Sequence, residues 1–164
     1  AAFIVKKCDI VMVSMGPGIT GTGTRYGFSG LELGFYLDLA HRQGGHCCFV
    51  PRISFADSRY RHFGLSHHSI TILKDIIQSP IHINLPILEK NKTNYLLNQL
   101  RENDLFDKYS FTFVDGNGIQ SSMKHFGISV TSMGRGIKED PAYFYAIGAS
   151  AKKALSTFCS LGRV

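Results

Sequence analysis

The chain has 164 residues, 44% of them apolar and only 18% charged, with a formal charge of +6. That composition describes one compact domain with a sizeable core and excludes a disordered chain. No apolar stretch approaches the ~20 residues of a membrane span, residues 1–13 lack the order of a signal peptide, and no RNP-like, helix-turn-helix or clustered Lys/Arg tract argues for nucleic acid.

The four cysteines form no CxxC pair. Cys47 and Cys48 are neighbours in an apolar run and would point to opposite faces of a strand. Reduced thiols in a cytoplasmic protein are the expectation. The chain also lacks an initiator Met.

In chain order, residues 9–15 read as a strand buried on both faces. A run with six glycines follows, GPGITGTGTRYGFSG at 16–30. Ser29-Gly30-Leu31-Glu32 is a capping-box pattern that opens a helix through about Arg42, stopped by Gly44-Gly45. Residues 47–53 form the second apolar run, then a polar loop spans 54–69. Ile70, Leu73, Ile76 and Ile77 keep helical spacing up to Pro80. Strand 81–88, helix 93–102, strand 109–114 and helix 119–126 follow. A fifth strand is expected at 128–132. Asp140-Pro141 starts the last helix, an N-cap followed by Pro at the first helical position.

Alternating strands and helices with near-continuous apolar strands imply an α/β fold. The expectation is a three-layer, doubly wound, Rossmann-like domain of about five mostly parallel strands over residues 1–164. Ser14-Met15-Gly16-Pro17-Gly18-Ile19 echoes Ser132-Met133-Gly134-Arg135-Gly136-Ile137. Each segment leaves an apolar run and precedes a helix.

Ligands of such sheets sit at the carboxyl ends of the strands. There the sequence places the glycine run, then Arg52, Asp57, Arg59, Arg61, His62, His67 and His68, then Asp115 and Asn117, then Arg135. Gly16-x-Gly18-x-x-Gly21 matches a dinucleotide fingerprint, but the helix signal waits until Ser29 and no acidic residue ends the second strand. No Walker A lysine is present. The physical basis survives in the glycines, which expose backbone N–H groups to anions. Gly16, Gly18, Gly21, Gly23 and Thr24 would cradle an anion, and Arg52, Arg59, Arg61 and Arg135 would neutralise it. Asp57, His67, His68 and Asp115 are the candidates for proton transfer or metal contact. Adjacent residues on a helix diverge by roughly 100°, so His67 and His68 do not easily face one metal. The spacing names no set of metal ligands.

The runs GPGITGTGTRYGFSG and PRISFADSRYRHFGLSHHS, with SMGRG and DPAYFYAIGASA, resemble an uncharacterised bacterial family, domain-of-unknown-function family 3866. The resemblance covers essentially the whole chain. It implies the C-terminal part of a longer protein and carries no activity, cofactor or catalytic residue.

The leading expectation is therefore binding of an anionic small molecule, a phosphorylated compound or nucleotide, with hydrolysis or group transfer as the chemistry. The first alternative is a non-catalytic interaction module, including homo-oligomerisation. The second is a metal-dependent hydrolase in which Asp57, His62, His67 or His68, and Asp115 converge. No cofactor is named by the sequence.

Overall fold

The structure is a computed structural model that describes residues 2–15, 18 and 20–162. Its first elements are α1 (Ala2–Lys6), a 3-10 turn at Ser29–Leu31 and α2 (Glu32–Arg42). The short strand β1 (Ile53–Ser54) pairs antiparallel with β2 (Gly64–Leu65). A 3-10 turn at Tyr60–His62 lies in the loop between them. Then come α3 (His67–Thr71), a π-helical turn (Ile72–Ile76), β3 (His82–Pro86), α4 (Lys90–Glu102), β4 (Ser110–Val114), α5 (Gly118–His125) and α6 (Pro141–Ser160).

The Rossmann-like expectation is overturned. Among the described residues there are two sheets of two strands each, β1–β2 antiparallel and β3–β4 parallel. Strands 81–88 and 109–114 exist in slightly shortened form. The run 47–53 contributes one parallel bridge, Phe49 to Ile83, before its end joins β2. Residues 9–15 form no strand, and Ile10, Val11, Met12 and Val13 are exposed, Met12 by 91%. Residues 128–132 form no strand either, and Ser132 makes only an isolated bridge to Arg135. The physical reason is that apolarity does not supply a partner. A strand needs a neighbour with free N–H and C=O groups in register. Only β3 and β4 present such edges at length.

The helices follow their periodicity more closely. In α4, Leu96 and Leu100 are 1% exposed and their i,i+4 spacing puts them on one face. In α6, Ala142, Ala146 and Ala149 are buried small residues that let the helix lie close on β3. Leu73, Ile77, Ile83 and Leu85 join them in the core. In α2, by contrast, Phe35, Tyr36 and Leu39 are exposed. Tyr109, entering β4, donates its hydroxyl to the carbonyls of Leu73 (2.7 Å) and Ile77 (3.2 Å). That bond ties the end of the π-helical turn to the sheet.

The turn after β4 also docks on α6. A Cβ on Gly148 would strike the Gly116 carbonyl oxygen, and one on Gly116 would strike the Tyr145 carbonyl. Two glycines facing each other permit this approach of backbone to backbone. Alanine at position 148 would normally favour the helix by about 1 kcal/mol. Here Gly148→Ala should instead lower stability by about 1–3 kcal/mol, the usual cost of overpacking. A denaturant midpoint that rises in this variant would contradict the packing.

Candidate functional site

The loop between β1 and β2 carries most of the site, and its anchor is Asp57. The Asp57 carboxylate is 2% exposed yet charged, so it needs partners. Arg59 supplies a two-pronged contact, with Nε on Oδ1 at 3.0 Å and Nη2 on Oδ2 at 2.9 Å. Arg135 Nη2 donates to Oδ2 at 3.2 Å and Arg52 Nη2 at 3.4 Å. The Arg59 hydrogen bonds hold the Asp57 carboxyl well below the usual carboxylate range, against the burial that would raise it. The geometry therefore gives Asp57 the work of ordering three guanidinium groups. A carboxylate held so firmly as an anion is a poor base at neutral pH.

Arg135 reaches Asp57 from far along the chain. Met133 (φ 53°) and Gly134 (φ 77°) both lie in the left-handed region, between Ser132 and Arg135, which exchange backbone hydrogen bonds at 2.9 and 3.0 Å. Two central residues with positive φ mark a primed hairpin turn. This is what the SMGRG motif builds. Asp140, beside it, makes no side-chain cap for α6. Its carboxylate accepts instead from Ser54 Oγ at 2.5 Å and from the Phe55 amide at 3.3 Å. Ser54 Oγ in turn accepts the Asp57 amide at 3.2 Å. Asp140, Ser54 and Asp57 thus form one buried chain.

Next to the arginines stand His62, His67 and His68. One nitrogen from each lies within 4.8 Å of the others, and no other group of three His, Cys, Asp or Glu is so disposed among the described residues. Ser66 builds the group. It is the N-cap of α3, accepting the His68 amide, and its Oγ contacts His62 Nδ1 at 3.1 Å. That contact engages Nδ1 of His62. The His67 and His68 ring centroids are 4.0 Å apart, contrary to the divergence expected of helix neighbours. The reason is position. Side chains lean toward a helix N-terminus, and in the first turn no earlier turn stands in the way. Both rings tip back toward the turn that carries His62.

All three imidazoles are kept neutral. Burial pushes the His62 pKa down to about 4, with Arg59 and Arg52 adding to it. Burial also takes His68 to about 4, aided by His67 and Arg61. His67 is lowered by burial and then by Arg61 and Arg52. Its Nε2 is buried and has no hydrogen-bond partner. Neutral imidazole with a free lone pair is the form that binds metal.

The described part of the glycine run forms a hairpin. Gly16 lies outside the described residues. Residues 20–29 fold as a hairpin in which Gly21 bridges Phe28. The amides of Thr22, Gly27 and Ser29 are committed to carbonyls within it. Thr24 Oγ1 pairs with Thr22 Oγ1 at 2.9 Å. A Cβ on Gly27 would strike Thr22 Oγ1. Gly18 and Gly23 are exposed at positive φ, with open space beside them. Among the described residues of the run, no converging set of amides results. The hairpin instead seats Phe28 on His68, ring centroids 4.2 Å apart and 25° from parallel. Arg25 fixes it from the other side with a fork onto Asp75, both bonds 3.0 Å.

Of the remaining candidates, Arg61 is exposed beside the histidines. Asp115 is also exposed and accepts the Asn117 amide at 3.0 Å in its own turn. Phe28, Ser54, Ser66 and Asp140 belong to the site but were not expected in it. Only Asp140 carried a signal, and that signal was for a cap.

Fold and site together define a mixed helix and strand protein with a three-histidine group beside three arginines gathered on one carboxylate. The chain belongs to the family described as protein of unknown function (DUF3866), whose model matches residues 1–151. Neither a curated protein nor a solved structure matches the chain. Among the described residues, no helix is long and apolar enough to cross a membrane.

The depressed histidines set the acid response. An unfolded histidine protonates near 6.5 and the folded His62 and His68 only near 4. Between those values the unfolded chain binds more protons, so stability falls as pH falls from 6.5 to 4, by up to ~1.4 kcal/mol per pH unit for each histidine. His68→Asn should flatten the dependence of the melting temperature on pH across this window. Equal slopes for variant and wild type would contradict the assignment.

Proposed function

We propose that the protein is a metal-dependent hydrolase acting on an anionic substrate. The observation that carries this reading is the three-histidine group, neutral and with one buried nitrogen lacking a partner. Three imidazoles suit zinc or a similar borderline ion. Structural zinc sites close with four protein ligands, whereas catalytic ones keep a position for water. Here the Asp57 carboxylate is taken up by arginines. The fourth position falls to solvent, and a bound metal would make that water a nucleophile near neutral pH.

Arg52, Arg59 and Arg135 favour a substrate with negative charge. Arg52 Nη1 and Arg135 Nε are buried without hydrogen-bond partners, the latter lying 3.6 Å from Asp140 as an ion pair only. Three guanidinium groups face two carboxylates, Asp57 and Asp140, and Arg61 adds a further cation. The site is thus electropositive around the metal position. Phe28 shields one ring face of His68, and Ser66 holds the orientation of His62.

The purified full chain should bind zinc at one equivalent in calorimetric titration. At a hundredfold excess over Kd, zinc should add about 2.7 kcal/mol to stability. Zinc should accelerate hydrolysis of p-nitrophenyl succinate more than that of the neutral p-nitrophenyl acetate. His67→Ala should lose both binding and the zinc-dependent rate, the latter at least 100-fold. Arg135→Ala should bind zinc normally and raise KM for the succinate ester about tenfold. Zinc binding unchanged in His67→Ala would overturn the site, and equal rates for the two esters would overturn the substrate charge.

A further inference from the structure

A second cavity, of about 500 Å³, opens at the start of the parallel sheet. The chain reaches it through Gly44–Cys48, ahead of the Phe49 bridge, whereas Arg52 and Asp57 come after that bridge. It therefore shares no lining residue with the histidine group.

Its polar wall comes from one face of β3 and β4. His82 and Asn84 are two residues apart and so point the same way. Opposite them in register stand Ser110 and Thr112. His82 is held between the two hydroxyls, Nδ1 to Ser110 Oγ at 2.7 Å and Nε2 to Thr112 Oγ1 at 2.6 Å. Asn84 is only 1% exposed, lines the cavity, and its side-chain carbonyl oxygen has no partner. A buried acceptor left unmade costs folding free energy unless something else supplies a donor. Lys153 of α6 completes the wall. It is half-buried, its charge adds to the burial that lowers the His82 pKa and opposes the burial that raises that of Cys48, and no carboxylate lines the cavity to neutralise it.

We infer that this cavity binds a small carboxylate carrying an adjacent ammonium or hydroxyl group, an amino acid or hydroxy acid. Lys153 pairs with the carboxylate. Asn84 accepts the hydrogen bond from the ammonium or hydroxyl. Cys47, Cys48 and Ile81 provide the apolar remainder of the walls, which favours a short carbon skeleton. The site is independent of the metal reading, and the outcome of one leaves the other standing.

The test is an NMR titration of the full chain with glycine, with lactate, and with acetate as the carboxylate lacking a donor. Glycine or lactate should shift the Asn84 side-chain amide saturably, at least tenfold more tightly than acetate. Lys153→Met should abolish the shift and His67→Ala should leave it intact, and Asn84→Leu, followed at the backbone amides of Cys47 and Cys48 that line the same cavity, should show no saturable shift. Lys153 sits on a partly exposed helix position, so its variant keeps the test valid if Asn84→Leu fails to fold. Absence of a saturable shift at millimolar ligand, equal affinity for acetate, or a shift unaffected by Lys153→Met would each overturn the inference.

Discussion

The buried charge of Asp57 is the constraint on which the site depends. A carboxylate at 2% exposure is tolerable only with strong donors, and the chain brings three guanidinium groups to it. Those arginines come from the run before β1, the loop after it, and the hairpin turn that precedes α6. One carboxylate thereby fixes three separate pieces of backbone against one another. Asp140 and Ser54 extend the same connection into the start of α6. Removing any partner would leave charge buried without compensation, which is why the group behaves as one unit.

The histidines depend on that frame. Arg52 leaves it toward the cluster, and its backbone bonds both to the Ser69 hydroxyl at 2.9 Å and to the Ser66 amide at 2.9 Å. The start of α3 is thus fixed to the arginine strand, and Ser66 passes the order on to His62. Burial, reinforced by the positive surroundings, keeps all three rings neutral, which is the state a metal needs. On the proposed reading, Asp57 and Asp140 offset the repulsion these cations would exert on a bound metal ion, while the arginines set the preference for a charged substrate.

Much of the helical structure was legible because its signal is local. Leu96 and Leu100, or Pro141 at the start of α6, announce a helix without reference to anything distant. Strands are different. Residues 9–15 and 128–132 have the composition of buried strands, but composition does not say whose edge they meet, and neither forms a strand here. The five-strand expectation failed at that step. In the site, the density of Arg, Asp and His between 52 and 68 marked the right segment. The meeting of His67 with His68 is not legible from mid-helix geometry, because both lie in the first turn of α3. The described part of the glycine run places Phe28 on His68. No local pattern reveals which aromatic ring a hairpin will deliver to a distant histidine.

Zinc K-edge X-ray absorption on the zinc-loaded full chain tests the central claim most directly. The account predicts three imidazole nitrogens at about 2.0–2.1 Å and a fourth, light oxygen ligand from water. A shell containing sulfur at about 2.3 Å would place the metal on cysteine and contradict it. So would failure of the chain to retain zinc through dialysis at neutral pH.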